Sequence, residues 1–350
     1  MPTPPAYAPM YEFTRGKTVE SVHFGAAAVV DRNGQLLAWH GDPHLTTYLR
    51  STAKPFQALP FVEAGGPQAL RLTSKEVALL CASHDGTDEH VTVAQAIQQK
   101  AGITENDLLC GIHAPLHAPT REAMLARGEA PTANRHNCSG KHSGMLASAR
   151  FHGWPIEDYV NPDHPLQQNI LTVFAEMCEV QPEQVSVGID GCSAPNFAVP
   201  LSNAALAYAR LCDPAGLSAP RAAACRTITH AMTTHPGMVA GPGEFDTRLM
   251  EVTGGRIVSK GGAEGYQGIG LLPGVLSPNA PGVGIVVKIS DGAAREKVRS
   301  AVVMEVLRQL NVLSPGEWET LSAFGPGLPV YNYRKILAGE GRPCFTLQKA

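Results

Sequence analysis

Ser51-Thr52-Ala53-Lys54 sets a hydroxyl and an amine three residues apart, and the chain contains this Ser-x-x-Lys spacing once. On a helix the two side chains fall one turn apart on the same face. That is the separation a serine nucleophile needs if a lysine is to take its proton. A lysine acts as a base only when neutral, so its pKa must fall from about 10.4 to near 7, which costs about 4 kcal/mol. Burial and nearby positive charge both push that way. Arg50 adjoins the serine. Far along the chain, Lys260-Gly261-Gly262 supplies a second lysine that the fold can bring towards Lys54. The plainer alternative is a serine that caps a helix and a lysine in solvent. The two pieces together suggest a Ser/Lys amide hydrolase and require a fold that serves an early helix and a late strand.

Composition sets the outer bounds. At 350 residues the chain can bury roughly 75% of its unfolded surface without staples. The net charge of −3 offers no basic face for nucleic acid and no polybasic membrane patch. The stretch from Met1 to Gly16 lacks the apolar segment of a signal peptide, and no run of about 18 apolar residues occurs. The eight cysteines are scattered, so reduced thiols and a cytoplasmic location are expected.

The apolar patterning predicts a hairpin, Val19–Val30 and Gln35–His40, joined through Asn33-Gly34. Helices are expected over Ser51–Ala64, from the capping-box pattern Thr73-Ser74-Lys75-Glu76 to about Cys81, and over Thr87–Lys100. Further helices are read at Arg121–Ala126, Gly140–Arg150, Pro165–Met177, Ser202–Leu211, Pro220–Met232 and Phe245–Val252. Val185–Ile189 reads as a buried strand, and strands follow at Arg256–Ser259, Gly268–Leu272 and Val283–Ile289. A long helix, Ala293–Leu310, comes after them. Hairpin, helix-rich middle, strands and helix make an α+β class with a largely antiparallel sheet and helices packed on its faces. No linker divides the chain.

Three loops gather small and reactive residues: Ser83-His84 after a helix, His136 to Gly144 before another, and Gly188 to Pro195 after a strand. Taken alone they are also what turns and caps are made of. A lysine followed by two small residues late in the chain is how serine β-lactamases and penicillin-binding proteins complete their site. Together, Arg50-Ser51-Thr52-Ala53-Lys54-Pro55, Ser83-His84, Asn137-Cys138-Ser139-Gly140-Lys141-His142, Gly188-Ile189-Asp190-Gly191-Cys192 and Lys260-Gly261-Gly262-Ala263-Glu264-Gly265 resemble the Rhizobium etli-type L-asparaginases. The likeness runs in order from about Val19 to Leu310.

The resemblance implies a serine β-lactamase-like fold, with residues 1–18 as an N-terminal extension and 19–350 as a single domain. It implies hydrolysis of L-asparagine by two tandems, Ser51 with Lys54 and Ser83 with Lys260. It further implies a zinc held by Cys138, Lys141 and Cys192, with Asp190 close by, and a homodimer. Arg50, His142 and Asp190 are the candidates for holding substrate. Thr87 departs from the acidic residue that this family often carries there.

The residues alone say less about metal. Two thiolates suit zinc, but a closed structural site needs four ligands, and a lysine ligand must lose its proton. Without the resemblance, Cys138 and Cys192 read as buried thiols. His113 and His117 have the spacing of a zinc pair, but Pro115 and Pro119 make that stretch loop-like. Rivals to asparagine hydrolysis are a Ser/Lys hydrolase of glutamine or a β-lactam, a silent amino-acid-binding protein, and a zinc-storage or regulatory protein.

Overall fold

The computed structural model describes residues 6–292 and 297–350. They cluster into two compact units woven from alternating stretches of chain: Met1–Thr52, Val199–Asp213 and Val252–Ala350 in the first, Ala53–Ala198 and Pro214–Glu251 in the second. Because each unit is assembled from separated segments, no linker marks the division.

The first unit carries a nine-stranded sheet among the described residues. Its order is Leu328–Tyr331, Leu337–Pro343, Ala8–Arg15, Thr18–Asp31, Val283–Ile289, Tyr266–Leu271 and Ile257–Gly261. Leu36–His40 joins at Thr18–Asp31, and Gln348–Lys349 pairs with it. The described pairings are antiparallel, as expected. The Asn33-Gly34 hairpin is present, with Gly34 at φ +85° and Asp31 accepting from the Asn33 and Gln35 amides. Residues 8–15, which the sequence places in an extension, form an integral strand.

Val283–Ile289 is buried at every position because helices cover both faces of the sheet. Strand alternation puts Gly268, Gly270 and Gly284 on one face, where helix Leu201–Cys212 lies. A β-carbon on Gly284 would stand 1.7 Å from the Ala205 carbonyl, and one on Gly268 would stand 2.3 Å from the Tyr208 ring. Glycine is therefore required by the close approach of helix to sheet. Helix Val298–Gln309 covers the other face, where Arg299 meets Gly261. The sequence extends this helix back to Ala293; residues 293–296 lie outside the described residues.

The second unit is helical apart from one hairpin. Helix Lys54–Glu63 is its hub, with every residue from Lys54 to Val62 buried. Around it pack helices Ser139–His152, Pro165–Cys178 and Ala219–Thr234. Phe174 joins Phe56 edge-on at 6.0 Å and stacks on Phe197 at 4.8 Å. The capping box at Thr73 starts helix Ser74–Leu80, and Thr87 caps helix Asp88–Ala101 by accepting from the His90 amide. The hairpin pairs Ser186–Ile189 with Pro195–Pro200 across the Ile189–Pro195 register. Its first strand is mostly exposed and not buried as the sequence suggests, with Val187 at 41% and Ile189 at 63%. A short apolar run does not distinguish a core strand from an edge.

Gly284→Ala is expected to cost about 1–3 kcal/mol, because the new methyl overpacks the helix–sheet contact. Urea unfolding would show this as a lower midpoint, and an unchanged midpoint would contradict the close approach.

Candidate active site

The residues singled out in the sequence fall in both units. In the first, Arg50, Ser51 and Lys260 occur on two neighbouring pieces of chain. Arg50 begins the 3₁₀ turn Arg50–Ala53 with φ +52°, in the left-handed region that non-glycine residues rarely enter. The Lys260 strand ends beside this turn. A β-carbon on Gly262 would lie 2.9 Å from Leu49 O, 3.1 Å from Thr52 Cγ2 and 3.5 Å from Arg50 Cβ. Small residues after Lys260 are thus needed for the strand end to reach the serine's turn. Tyr208 donates from its hydroxyl to Thr52 O at 2.8 Å and fixes the turn from the helix side. Lys260 is 1% exposed and donates to Gly261 O at 2.7 Å. Arg50 approaches Glu264 at 3.6 Å, and Arg299 donates to Gly262 O at 2.8 Å.

In the second unit, Lys54 starts the central helix and is 1% exposed. Its Nζ donates to Ala82 O at 2.6 Å and to Ser83 Oγ at 2.8 Å. The resemblance pairs Ser83 with Lys260 and Lys54 with Ser51. The hydrogen bond seen inside this unit joins Lys54 to Ser83.

Ser83 is held by its backbone. The Ser83 amide donates to Val239 O at 2.9 Å, the His84 amide to Asn137 O at 3.1 Å, and the Asp85 amide to Ala240 O at 2.9 Å. Residues 83–85 therefore lie extended between two loops, and neither side chain spacing nor local propensity reveals this.

Cys138, Lys141 and Cys192 come together. Cys138 caps helix Ser139–His152, which puts Lys141 and His142 in its first turn. Gly140 and Gly144 let this helix touch its neighbour: a β-carbon on Gly140 would meet Leu79 O at 2.4 Å, and one on Gly144 would meet Leu80 Cδ2 at 2.9 Å. Cys192 sits in the turn Asp190–Ala194 that closes the hairpin, where Asp190 N–H donates to Ala194 O and Ser193 takes φ +70°. Lys141 Nζ lies 2.9 Å from Cys192 Sγ.

Charge binds the cluster. Cys138 is held well below the ordinary thiol range by its hydrogen bond to Cys192 and by the charges of Lys54 and Lys141, against the opposing effect of burial. Burial works against the Lys141 ammonium, but Cys192, Cys138 and Asp190 outweigh it and raise its pKa. His142 is pushed down to about 4 by burial and by Lys141.

Sequence reasoning missed two things here. Tyr159 bonds His142 at 2.6 Å, but it lies in a loop with no motif around it. The histidines near Ser83 form two ring pairs, His84 with His90 at 4.9 Å and His113 with His136 at 4.3 Å. His113 Nε2 accepts from the Asn137 amide, so the His113/His117 pair serves the loop, as its prolines suggest. Among the described residues no three His, Cys, Asp or Glu side chains form a group able to hold a metal.

The L-asparaginase II family description matches residues 11–343. The chain belongs to the L-asparaginase II family. The likeness read from its motifs is borne out, and membership marks the chain as an amidohydrolase. No curated protein matches it. Among solved structures, a Bacillus subtilis glutaminase in covalent complex with 5-oxo-L-norleucine is 10% identical, with TM-score 0.39, covering 82% of this chain and 88% of that one. A Mycobacterium bovis β-lactamase is 16% identical, with TM-score 0.43, covering 83% and 95%. Among the described residues no helix is long and apolar enough to cross a membrane.

His84 and His90 are also driven down chiefly by burial, and His136 falls to about 4 for the same reason. The unfolded chain, with histidines near 6.5, binds more protons than the folded one. Stability is therefore expected to hold above pH 6.5 and to fall as pH drops from there towards 4. Urea midpoints measured across that window should fall more steeply in the native chain than in His136→Gln, and equal slopes would refute the assignment.

Proposed function

We propose that this family member hydrolyses the side-chain amide of L-asparagine to L-aspartate and ammonia through a serine ester. The observation that carries the mechanism is the 2.8 Å hydrogen bond between Lys54 Nζ and Ser83 Oγ, deep in a unit where Lys54 is 1% exposed. A buried amine joined to a hydroxyl is the part a proton relay needs.

In the proposed sequence Ser51, three residues before Lys54, attacks the amide carbon as Lys54 takes its proton. The tetrahedral adduct collapses when a proton passes from Lys54 through Ser83 to the departing nitrogen, so the C–N bond breaks and ammonia leaves. Water then attacks the aspartyl ester, giving its proton back by the same path and freeing Ser51. Lys260 is proposed to share with Ser83 in relaying protons to the departing ammonia and in positioning the amide. Backbone N–H groups of the Ser51 turn are assigned to the oxyanion, where each such donor is commonly worth about 3 kcal/mol. Arg50 and Asp190 are proposed to hold the α-amino and α-carboxylate groups; His142, the third holder expected from the sequence, has its Nδ1 engaged by Tyr159 and its Nε2 beside Cys192.

The zinc that the resemblance implies fits the donor set in part. Two sulfurs and one amine meet in a buried cluster. Such a set suits a soft divalent ion with open positions. Cys138, Lys141 and Cys192 would hold it, and when bound it would supply a Lewis-acidic anchor for a substrate carboxylate or amine. Lys141 must give up its proton to ligate, so occupancy should rise with pH.

Ammonia release from asparagine against glutamine, with β-lactam turnover alongside, tests the substrate. Turnover of either alternative without asparagine would sink the proposal. Lys54→Met should lower kcat by about 10²–10⁴-fold. Intact mass after mixing with asparagine separates the serines: an ester trapped in Ser83→Ala supports Ser51 as nucleophile, and an ester in Ser51→Ala refutes it. Elemental analysis should find zinc in the native protein and none in Cys138→Ser or Cys192→Ser.

A further inference from the structure

Tyr159 is fully buried, and its hydroxyl has two polar neighbours: the Leu109 amide at 2.9 Å and His142 Nδ1 at 2.6 Å. A backbone N–H only donates, so it occupies a lone pair of the phenol oxygen. The phenol's own proton then has a single acceptor in reach, His142 Nδ1. Were Nδ1 to carry a proton instead, the phenol O–H would be buried with nowhere to point, which is costly. The hydrogen bonds therefore run in one direction, from Leu109 N–H to Tyr159 and from Tyr159 O–H to His142. A neutral imidazole whose Nδ1 accepts must bear its proton on Nε2.

That Nε2 is buried, and no group meets it with regular hydrogen-bond geometry. Lys141 and Lys54 act on this imidazole through their charges, and Cys192 is the further side chain close enough to share a hydrogen bond with it. The two observations agree if Nε2–H faces the large Cys192 sulfur in a loose contact, which we take as the better description because Nδ1 is already engaged. The same tautomer leaves Nε2 without a lone pair for a metal. This accords with the absence, among the described residues, of any three His, Cys, Asp or Glu side chains grouped to hold one.

We propose that Tyr159 is a positioning residue: it locks His142 as an N–H donor towards the Cys192 sulfur, so that His142 steadies a metal-holding thiolate and does not itself ligate. The link to metal rests on the zinc reading above; the tautomer does not. Tyr159 is itself fixed, since Gln167 Nε2 donates to its carbonyl at 2.7 Å. Partners of this kind orient a ligand and commonly change metal affinity by about 10–100-fold when removed.

The test is ¹⁵N NMR of the full chain, metal-free, with labelled histidine, the His142 signals being assigned by their loss in His142→Gln. The native protein should show His142 with a bare, accepting Nδ1 and a protonated Nε2. Tyr159→Phe should shift this towards the other tautomer and weaken zinc binding about 10–100-fold in competition with a chromophoric chelator. Thermal melting of the variant confirms that it folds. A protonated Nδ1 in the native protein overturns the proposal whatever the variant does, and so does unchanged zinc affinity in a folded Tyr159→Phe. A native protein that takes up no zinc, yet shows the stated tautomer and its change in Tyr159→Phe, removes the zinc reading and leaves the assignment of Tyr159 standing.

Discussion

A lysine amine buried at the head of a helix is the constraint from which the second unit's arrangement follows. Burying a lysine amine is tolerable only where hydrogen-bond acceptors close around its N–H groups. Lys54 meets that condition with the Ala82 carbonyl and the Ser83 hydroxyl, and its charge bears on the Cys138 thiol. Each of these partners must then be held in place. Residues 83–85 are pinned by backbone hydrogen bonds on both sides, and Cys138 is anchored at the start of the helix that carries Lys141 and His142.

The same demand explains why small residues accompany the reactive ones. Gly140 and Gly144 allow the Cys138 helix to close on helix Ser74–Leu80, whose end leads into Ser83. Gly262 allows the Lys260 strand to reach the turn that holds Ser51. In both units glycine serves distance, and chemistry is placed by letting backbones approach. The histidines of the second unit extend this logic, since His84, His136 and His164 each accept a backbone N–H two residues further on and so act as turn makers.

Much of this was legible beforehand, for identifiable reasons. Helix Asp88–Ala101 carried its cap, its period and its terminal Gly102, and Phe245–Val252 had matching apolar spacing. The clustering of Cys138, Lys141 and Cys192 followed from a family pattern and not from spacing, because the two cysteines stand on a helix cap and a hairpin turn far apart in the chain. Ser186–Ile189 misled because an apolar run is the same whether it faces a core or water. The strand Ala8–Arg15 was hidden by the prolines before it and by Pro9 within it, and Tyr159 by the lack of any local pattern around a loop aromatic. The Lys54–Ser83 contact depends on tertiary placement, which residue order does not encode directly.

The pairing of Phe13 with Gly341, and of its neighbours with the strand Leu337–Pro343, has a consequence for synthesis. The strand Ala8–Arg15 waits for Leu337–Pro343, made much later, before its outer edge is covered. The helical unit, whose segments all precede Val252, has emerged well before then. On the ribosome the helices can consolidate while the sheet still lacks Leu337–Pro343, so the nascent chain must keep an open β-edge from aggregating until that strand has emerged.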